Sequence, residues 1–182
     1  MVKNLKAFLP AKALHQVGNS LINSIIQYGA ALWGATSDQN ILRVQKAQTR
    51  AARLLTRKPS AQYHQMKLCH RQEMFSTIKW LNVNQLIQSA SLNLIRNAIN
   101  QNSSIGMNAM FKVSHLNSNL RNKSIRVDHR GPPGRNNLTF SANATQMFNN
   151  LPNHLKLKNI NPYKFKNMLK QHILSENHLQ MH

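Results

Sequence analysis

The sequence predicts an all-α fold of two helical modules joined by a long basic loop. Three observations predict it. Apolar residues recur at three- and four-residue spacing in several separate stretches, the periodicity of amphipathic helices. Cap and stop signals punctuate those stretches: Pro10, Gly29, Thr36-Ser37-Asp38, Pro59, Asn82, Asn84 and Asn161-Pro162. After Gln101 the composition turns to Asn, Ser and basic residues and holds the turn Gly131-Pro132-Pro133-Gly134.

In chain order, Pro10 suits a helix start, and Leu14, Val17, Leu21, Ile22, Ile25 and Ile26 follow at helical spacing. Gly29 after Tyr28 can cap that helix. A Trp33-Gly34 turn leads to Thr36-Ser37-Asp38, a good N-terminal cap. A second helix then runs to about Arg57 and stops before Pro59. A loop from Tyr63 to His70 and a short helix from Glu73 to Trp80 follow. Asn82 or Asn84 caps a third long helix with Leu86, Ile87, Ala90, Leu94, Ile95 and Ala98 inward. Residues 102–137 read as a loop or linker carrying Lys112, Arg121, Lys123, Arg126, Arg130 and Arg135. Ser141 opens a helix through Phe148. Asn161-Pro162 opens another with Phe165, Met168, Leu169 and Ile173 on one face, and the chain frays from Ser175. The expected organisation is therefore a helical module over 1–101, a basic linker over 102–137, a small helical module over 138–175 and a frayed tail over 176–182.

Charge narrows the function classes. Among 182 residues Lys and Arg total 24 against 4 acids, a formal charge of +20, and the pI is about 11.3. That balance is the footprint of a nucleic-acid binder. At 41% hydrophobic residues the chain can build a core, which a basic tail could not. The single cysteine, Cys69, allows no internal disulfide and fits the nucleus or cytoplasm. The apolar runs are too short to span a bilayer, so no membrane partner is expected. The first 37 residues lack acids but also lack Arg, and Pro10 interrupts them, which argues against a transit peptide.

The charge is patterned. Arg43, Lys46, Arg50, Arg53 and Arg57 are spaced three, four, three and four apart, which stacks them along one side of a helix. Ile41, Val44, Ala47, Ala51 and Leu55 fall on another side. No carboxylate occurs between Asp38 and Glu73, so the row repels itself unless a polyanion faces it. These five, extended by Lys58, are the candidate nucleic-acid contacts, with Lys67 beyond. The competing reading is a solvated face. Trp33, Trp80 and Tyr28 could stack on bases, but core positions are the favoured reading.

Other constellations fail on chemistry. His64, Cys69 and His70 lack the four-ligand spacing of a zinc site, and His178 with His182 is only one pair. Cys69 has no orienting third group for nucleophilic catalysis. Gly131-Pro132-Pro133-Gly134 lacks the Gly-Lys-Ser/Thr ending of a phosphate-cradling loop. No metal and no cofactor are expected.

A set of ordered segments carries a resemblance. They are Asn19 to Gly29, Leu32-Trp33-Gly34, Val44-Gln45-Lys46-Ala47-Gln48 and Arg50-Ala51-Ala52-Arg53-Leu54-Leu55-Thr56. Trp80-Leu81, Phe140-Ser141, Phe148-Asn149-Asn150-Leu151-Pro152 and Phe165-Lys166 through Leu169-Lys170 follow. The set resembles the thumb and post-thumb region behind the polymerase core of non-LTR (LINE-type) retrotransposon reverse transcriptases. Phe148 stands where that family usually has Trp, and Ser24 where a proline is common. The resemblance implies thumb-like helices that grip RNA, DNA or an RNA/DNA hybrid beside an upstream reverse transcriptase core.

A polymerase needs paired carboxylates to hold two metal ions. Asp38, Glu73, Asp128 and Glu176 stand alone in sequence, so the chain is expected to be non-catalytic. The expected function is a binding fragment that clamps a template–primer duplex through its backbone, with Met1 an internal or mis-called start. The alternatives are an inactive translated remnant of such an element, or an independent basic RNA-binding protein.

Overall fold

The computed structural model describes residues 8–56, 68–115, 125–129, 140–157 and 160–179. They divide into two units, Met1–Ala30 with Thr36–Leu86, and Ala31–Ala35 with Ile87–His182. Among the described residues the fold is mostly helical, with one two-stranded sheet.

In the first unit, helix α1 (Ala11–Gly18) starts behind Pro10, whose carbonyl accepts from Leu14 N. A π-helical turn, Asn19–Asn23, follows, and α2 (Ser24–Gln27) closes the run. The π turn decides which side chains face inward. It places one extra residue in a turn and so rotates everything after it by about 100°. Leu14 is buried, but Leu21 and Ile25, which the periodicity placed inward, are exposed. Ile22 packs against the core instead, and Ile26 is half-buried. The Ser20 hydroxyl donates to the Gln16 carbonyl at 3.0 Å, and that of Ser24 donates to the Ser20 carbonyl; both bend a helix locally. Gly29, at φ 62°, stops the run as expected. Helix α3 (Ala30–Trp33) follows.

Helix α4 (Asp38–Leu55) packs on α1 and the π turn. Ser37 has N-cap geometry but makes no side-chain cap bond; Asn40 Nδ2 donates to Thr36 Oγ1 at 3.0 Å instead. Gly18 marks the crossing, since a Cβ there would stand 2.5 Å from Leu55 Cδ1. Leu55 cannot swing away, because it is buried in the cluster of Leu14, Ala51, Ala52, Phe75, Ile78 and Trp80.

Helix α5 (Leu68–Thr77) is longer than the expected Glu73–Trp80 helix at its start and shorter at its end. It stops in a Schellman turn: Trp80 N donates to Phe75 O at 2.9 Å, with Lys79 at φ 56°. Helix α6 (Val83–Ile99) opens on a reciprocal capping box. Gln85 N donates to Asn82 Oδ1 at 2.9 Å, and Asn82 N to Gln85 Oε1 at 2.8 Å. Of the two expected caps, Asn82 is the one used.

The boundary between the two units falls within α6, after Leu86. Beyond it, in the second unit, lies Arg96, which is fully buried. Its Nη2 donates to the Ile160 carbonyl at 3.3 Å, and its guanidinium lies 5.3 Å from the Phe165 ring centroid. Burial lowers its pKa from the ordinary arginine value. Helix α6 ends in another Schellman turn, Asn102 N to Asn97 O at 2.9 Å, with Gln101 at φ 56°.

The segment read as a loop contains structure. After α7 (Ile105–Ala109), β1 (Phe111–His115) pairs antiparallel with β2 (Ile125–His129). Phe111, Ile125 and Val127 are buried on one face, while Lys112, Arg126 and Asp128 are exposed on the other. Residues 116–124 and 130–139, with the Gly-Pro-Pro-Gly turn, lie outside the described residues.

Helix α8 (Phe140–Asn149) packs on β2. Asn149 completes β2's open edge: Val127 N donates to its Oδ1 at 3.0 Å, and its Nδ2 donates to Val127 O at 2.8 Å. Ile125 N donates to the Lys156 carbonyl at 3.2 Å, so that edge is covered at Ile125 and Val127. Phe148, Leu151 and Leu155 fill the core behind it, and Pro152 caps the 3₁₀ turn Asn153–Leu155. Helix α9 (Pro162–Leu179) begins at the expected Asn161-Pro162 signal, with Asn161 Oδ1 accepting from Tyr163 N at 2.9 Å. Phe165, Leu169 and Ile173 are buried as the spacing predicts, and the helix continues past Ser175, where fraying was expected.

Candidate nucleic-acid interface

Helix α4 carries the candidate stripe, and its orientation is keyed by two glutamines. Buried Gln48 Nε2 donates to the Leu81 carbonyl at 2.8 Å. Gln45 Oε1 accepts from Val83 N at 2.9 Å, and Gln45 Nε2 donates to Gln48 Oε1 at 3.2 Å. The first two bonds cross, within the first unit, to Leu81 between α5 and α6 and to Val83 at the start of α6, and the third joins the two glutamines along α4, so one rotation of α4 satisfies all three. Gln48, Thr49, Ala51, Ala52 and Leu55 are buried at that rotation. Of the apolar stripe read from sequence, Ala47 is exposed, because the buried face is centred on Gln48 and Ala52.

The opposite face carries the cations, since positions 43, 46 and 50 lie roughly half a helical turn from positions 41, 48, 52 and 55. Arg43, Lys46 and Arg50 are all exposed. Arg53 differs: it is half-buried, and its Nη1 is closed off from solvent. It therefore belongs to the flank of the buried face more than to the outer row. Arg57, Lys58 and Lys67 lie outside the described residues. The arrangement is a rigid, outward-pointing row of three cations over about two helical turns. It holds no nucleophile and no acid–base pair. It can attract and position phosphates.

The aromatic residues separate. Trp80 is core, and its Nε1 donates to Asn19 Oδ1. Trp33 is half-buried, whereas Tyr28 is 87% exposed, so the core reading fails for Tyr28. The π turn turns α2's outer side to solvent just before it. Among the described residues no group of three or more His, Cys, Asp or Glu side chains gathers, and no helix is long and apolar enough to cross a membrane. His64 lies outside the described residues. Sequence reasoning missed the orienting roles of Gln45 and Gln48. It also missed Arg96, which follows Leu92 and Ile95 at helical spacing and so lies on the inner face of α6.

Compared with known proteins, the chain matches no family model, no curated protein and no solved structure.

Proposed function

We propose that the chain is a non-catalytic nucleic-acid-binding module, akin to the thumb and post-thumb region of non-LTR retrotransposon reverse transcriptases. It clamps a template–primer duplex through phosphate contacts, with little base specificity. The observation that carries this reading is the outward row of Arg43, Lys46 and Arg50 on a helix locked in rotation by Gln45 and Gln48. An acid-free cationic row on a rigid element suits a polyanion and gains nothing from facing water alone. The resemblance of the ordered segments supplies the kind of polyanion: RNA, DNA or their hybrid, held beside a polymerase core that provides the metals.

The test is the salt dependence of binding to an RNA/DNA hybrid. Three phosphate contacts from α4 give a log–log slope of about −2.7, and steeper values follow if further cations engage. Binding to hybrids of unrelated sequence is expected to match within a few-fold. A slope near zero would falsify the reading. So would magnesium-dependent primer extension by the purified chain, which would show a catalytic centre.

A further inference from the structure

The second unit carries another cationic helix face, and it differs from α4 in holding an aromatic ring. On α9, Tyr163 is 75% exposed, and Lys164, Lys166, Asn167 and Lys170 are exposed around it. The opposite side of α9 is anchored by buried Phe165, Leu169 and Ile173. Asn161 fixes the start of the helix through its bond to Tyr163 N. The ring therefore stands on a fixed backbone, with a lysine on either side of it in angle and a third about two turns along the axis. No carboxylate occurs in the sequence between Asp128 and Glu176.

An exposed tyrosine is common, and exposed lysines are commoner. Their conjunction is what selects a ligand. A ring held outward among cations offers a flat apolar surface beside phosphate-binding groups, the two parts that a single-stranded nucleic-acid platform combines. A duplex cannot use the ring, because its base faces are covered by neighbouring pairs. An unpaired base can. We propose that the outer face of α9 binds single-stranded nucleic acid, with Tyr163 stacking on a base and Lys164 and Lys166 contacting the flanking phosphates. The proposal takes its class of partner from the function proposed above, but it rests on different residues, in the other unit, and on a different form of nucleic acid.

The experiment uses the full chain and two labelled probes of equal length: an oligothymidylate and an abasic strand with the same phosphates and no bases. The wild-type chain is expected to bind oligothymidylate the more tightly. Tyr163→Ala should weaken oligothymidylate binding about tenfold and leave the abasic strand unchanged, removing the preference. Tyr163→Phe should keep it, because the ring face remains. Lys164→Gln with Lys166→Gln should weaken both probes alike and flatten the single-strand salt slope by about 1.4. Circular dichroism checks that helicity holds; if alanine lowers it, Tyr163→Leu fills the space without a π-face and is read in the same way. The proposal is overturned if the ring-less variant with intact helicity binds oligothymidylate as well as wild type, or loses both probes equally. Hybrid binding separates the two readings. If the hybrid is bound and the ring proves irrelevant, only the α9 surface fails. If neither hybrid nor strand is bound, the proposed function fails and the α9 surface with it.

Discussion

The outer face of α4 and the outer face of the β1–β2 hairpin both present cations, yet they are built to opposite ends. On α4, no carboxylate stands among Arg43, Lys46 and Arg50. On the hairpin, the register sets Lys112 opposite Asp128 and Ser114 opposite Arg126. Asp128 accepts from Ser114 Oγ at 3.2 Å and pairs with Arg126 Nε at 3.6 Å. Such an exposed pair adds little stability, at most about 1 kcal/mol. Its consequence is local neutralisation. In a chain of charge +20 with four acids, the position of each acid decides which cationic face is open to a polyanion.

The strongest way to break this comparison is to reverse the open face. Arg43→Glu, Lys46→Glu and Arg50→Glu together should lower hybrid affinity by at least about a hundredfold near 0.1 M salt, since attraction becomes repulsion at each phosphate. All three side chains point away from the core, so circular dichroism should change little. Reversal of Lys112 and Arg126 should cost far less. If the triple and the double variant lose affinity equally, the acids do not partition the surface.

A second change strikes the hairpin without touching charge. Asn149→Ala removes both bonds to Val127 and leaves a strand edge unsatisfied, at a cost of about 2 kcal/mol. Urea unfolding should register the loss in the second unit, while hybrid affinity stays within twofold. An affinity loss comparable to that of the α4 variant would mean that the hairpin, and not α4, positions the duplex.

The α4 helix and the hairpin also differ in how much of them the sequence revealed. The cationic row needed only three- and four-residue spacing, a signal independent of tertiary context, and α4 places its first three members as that spacing requires. The hairpin had a signal too. Phe111-Lys-Val-Ser-His115 and Ile125-Arg-Val-Asp-His129 alternate apolar and polar residues, but each is only five residues long and set among Asn, Ser and basic residues. Composition outweighed period there. The turns ending α5 and α6 were invisible for another reason: Lys79 and Gln101 adopt the left-handed conformation without glycine to announce it. The π turn was equally silent, since nothing in the spacing of Leu21, Ile22, Ile25 and Ile26 marks where a helix gains a residue. The motif Phe148-Asn149-Asn150-Leu151-Pro152 was legible as a pattern, and only the fold shows its work. Phe148 and Leu151 fill the core, Asn149 holds a strand, and Pro152 starts a turn.

Removing the neutralising acid sharpens the comparison from the other side. Asp128→Asn releases Arg126 and removes the negative charge opposite Lys112, while keeping a side chain able to accept from Ser114. Hybrid affinity should rise several-fold, and the salt slope should steepen by about 0.9 for each cation that finds a phosphate, up to about 1.8. An unchanged slope would place the hairpin face away from the bound duplex whatever its charge.

The smallest expected effect tests the edge of the open face. The three-and-four spacing makes Arg53 the equal of Arg50, but the fold does not: Arg50 is exposed, whereas Arg53 is half-buried with Nη1 closed off from solvent. A guanidinium held against the protein surface must give up that packing to reach a phosphate. Arg50→Gln should therefore flatten the hybrid salt slope by about 0.9. Arg53→Gln should leave the slope where it is and lower the thermal midpoint instead, because its stem and head pack beside the core. Both are read from one pair of measurements, a salt titration and a melt. If Arg53→Gln flattens the slope as much as Arg50→Gln and leaves the melt alone, Arg53 swings outward on binding, and the row continues along α4 as its spacing implies.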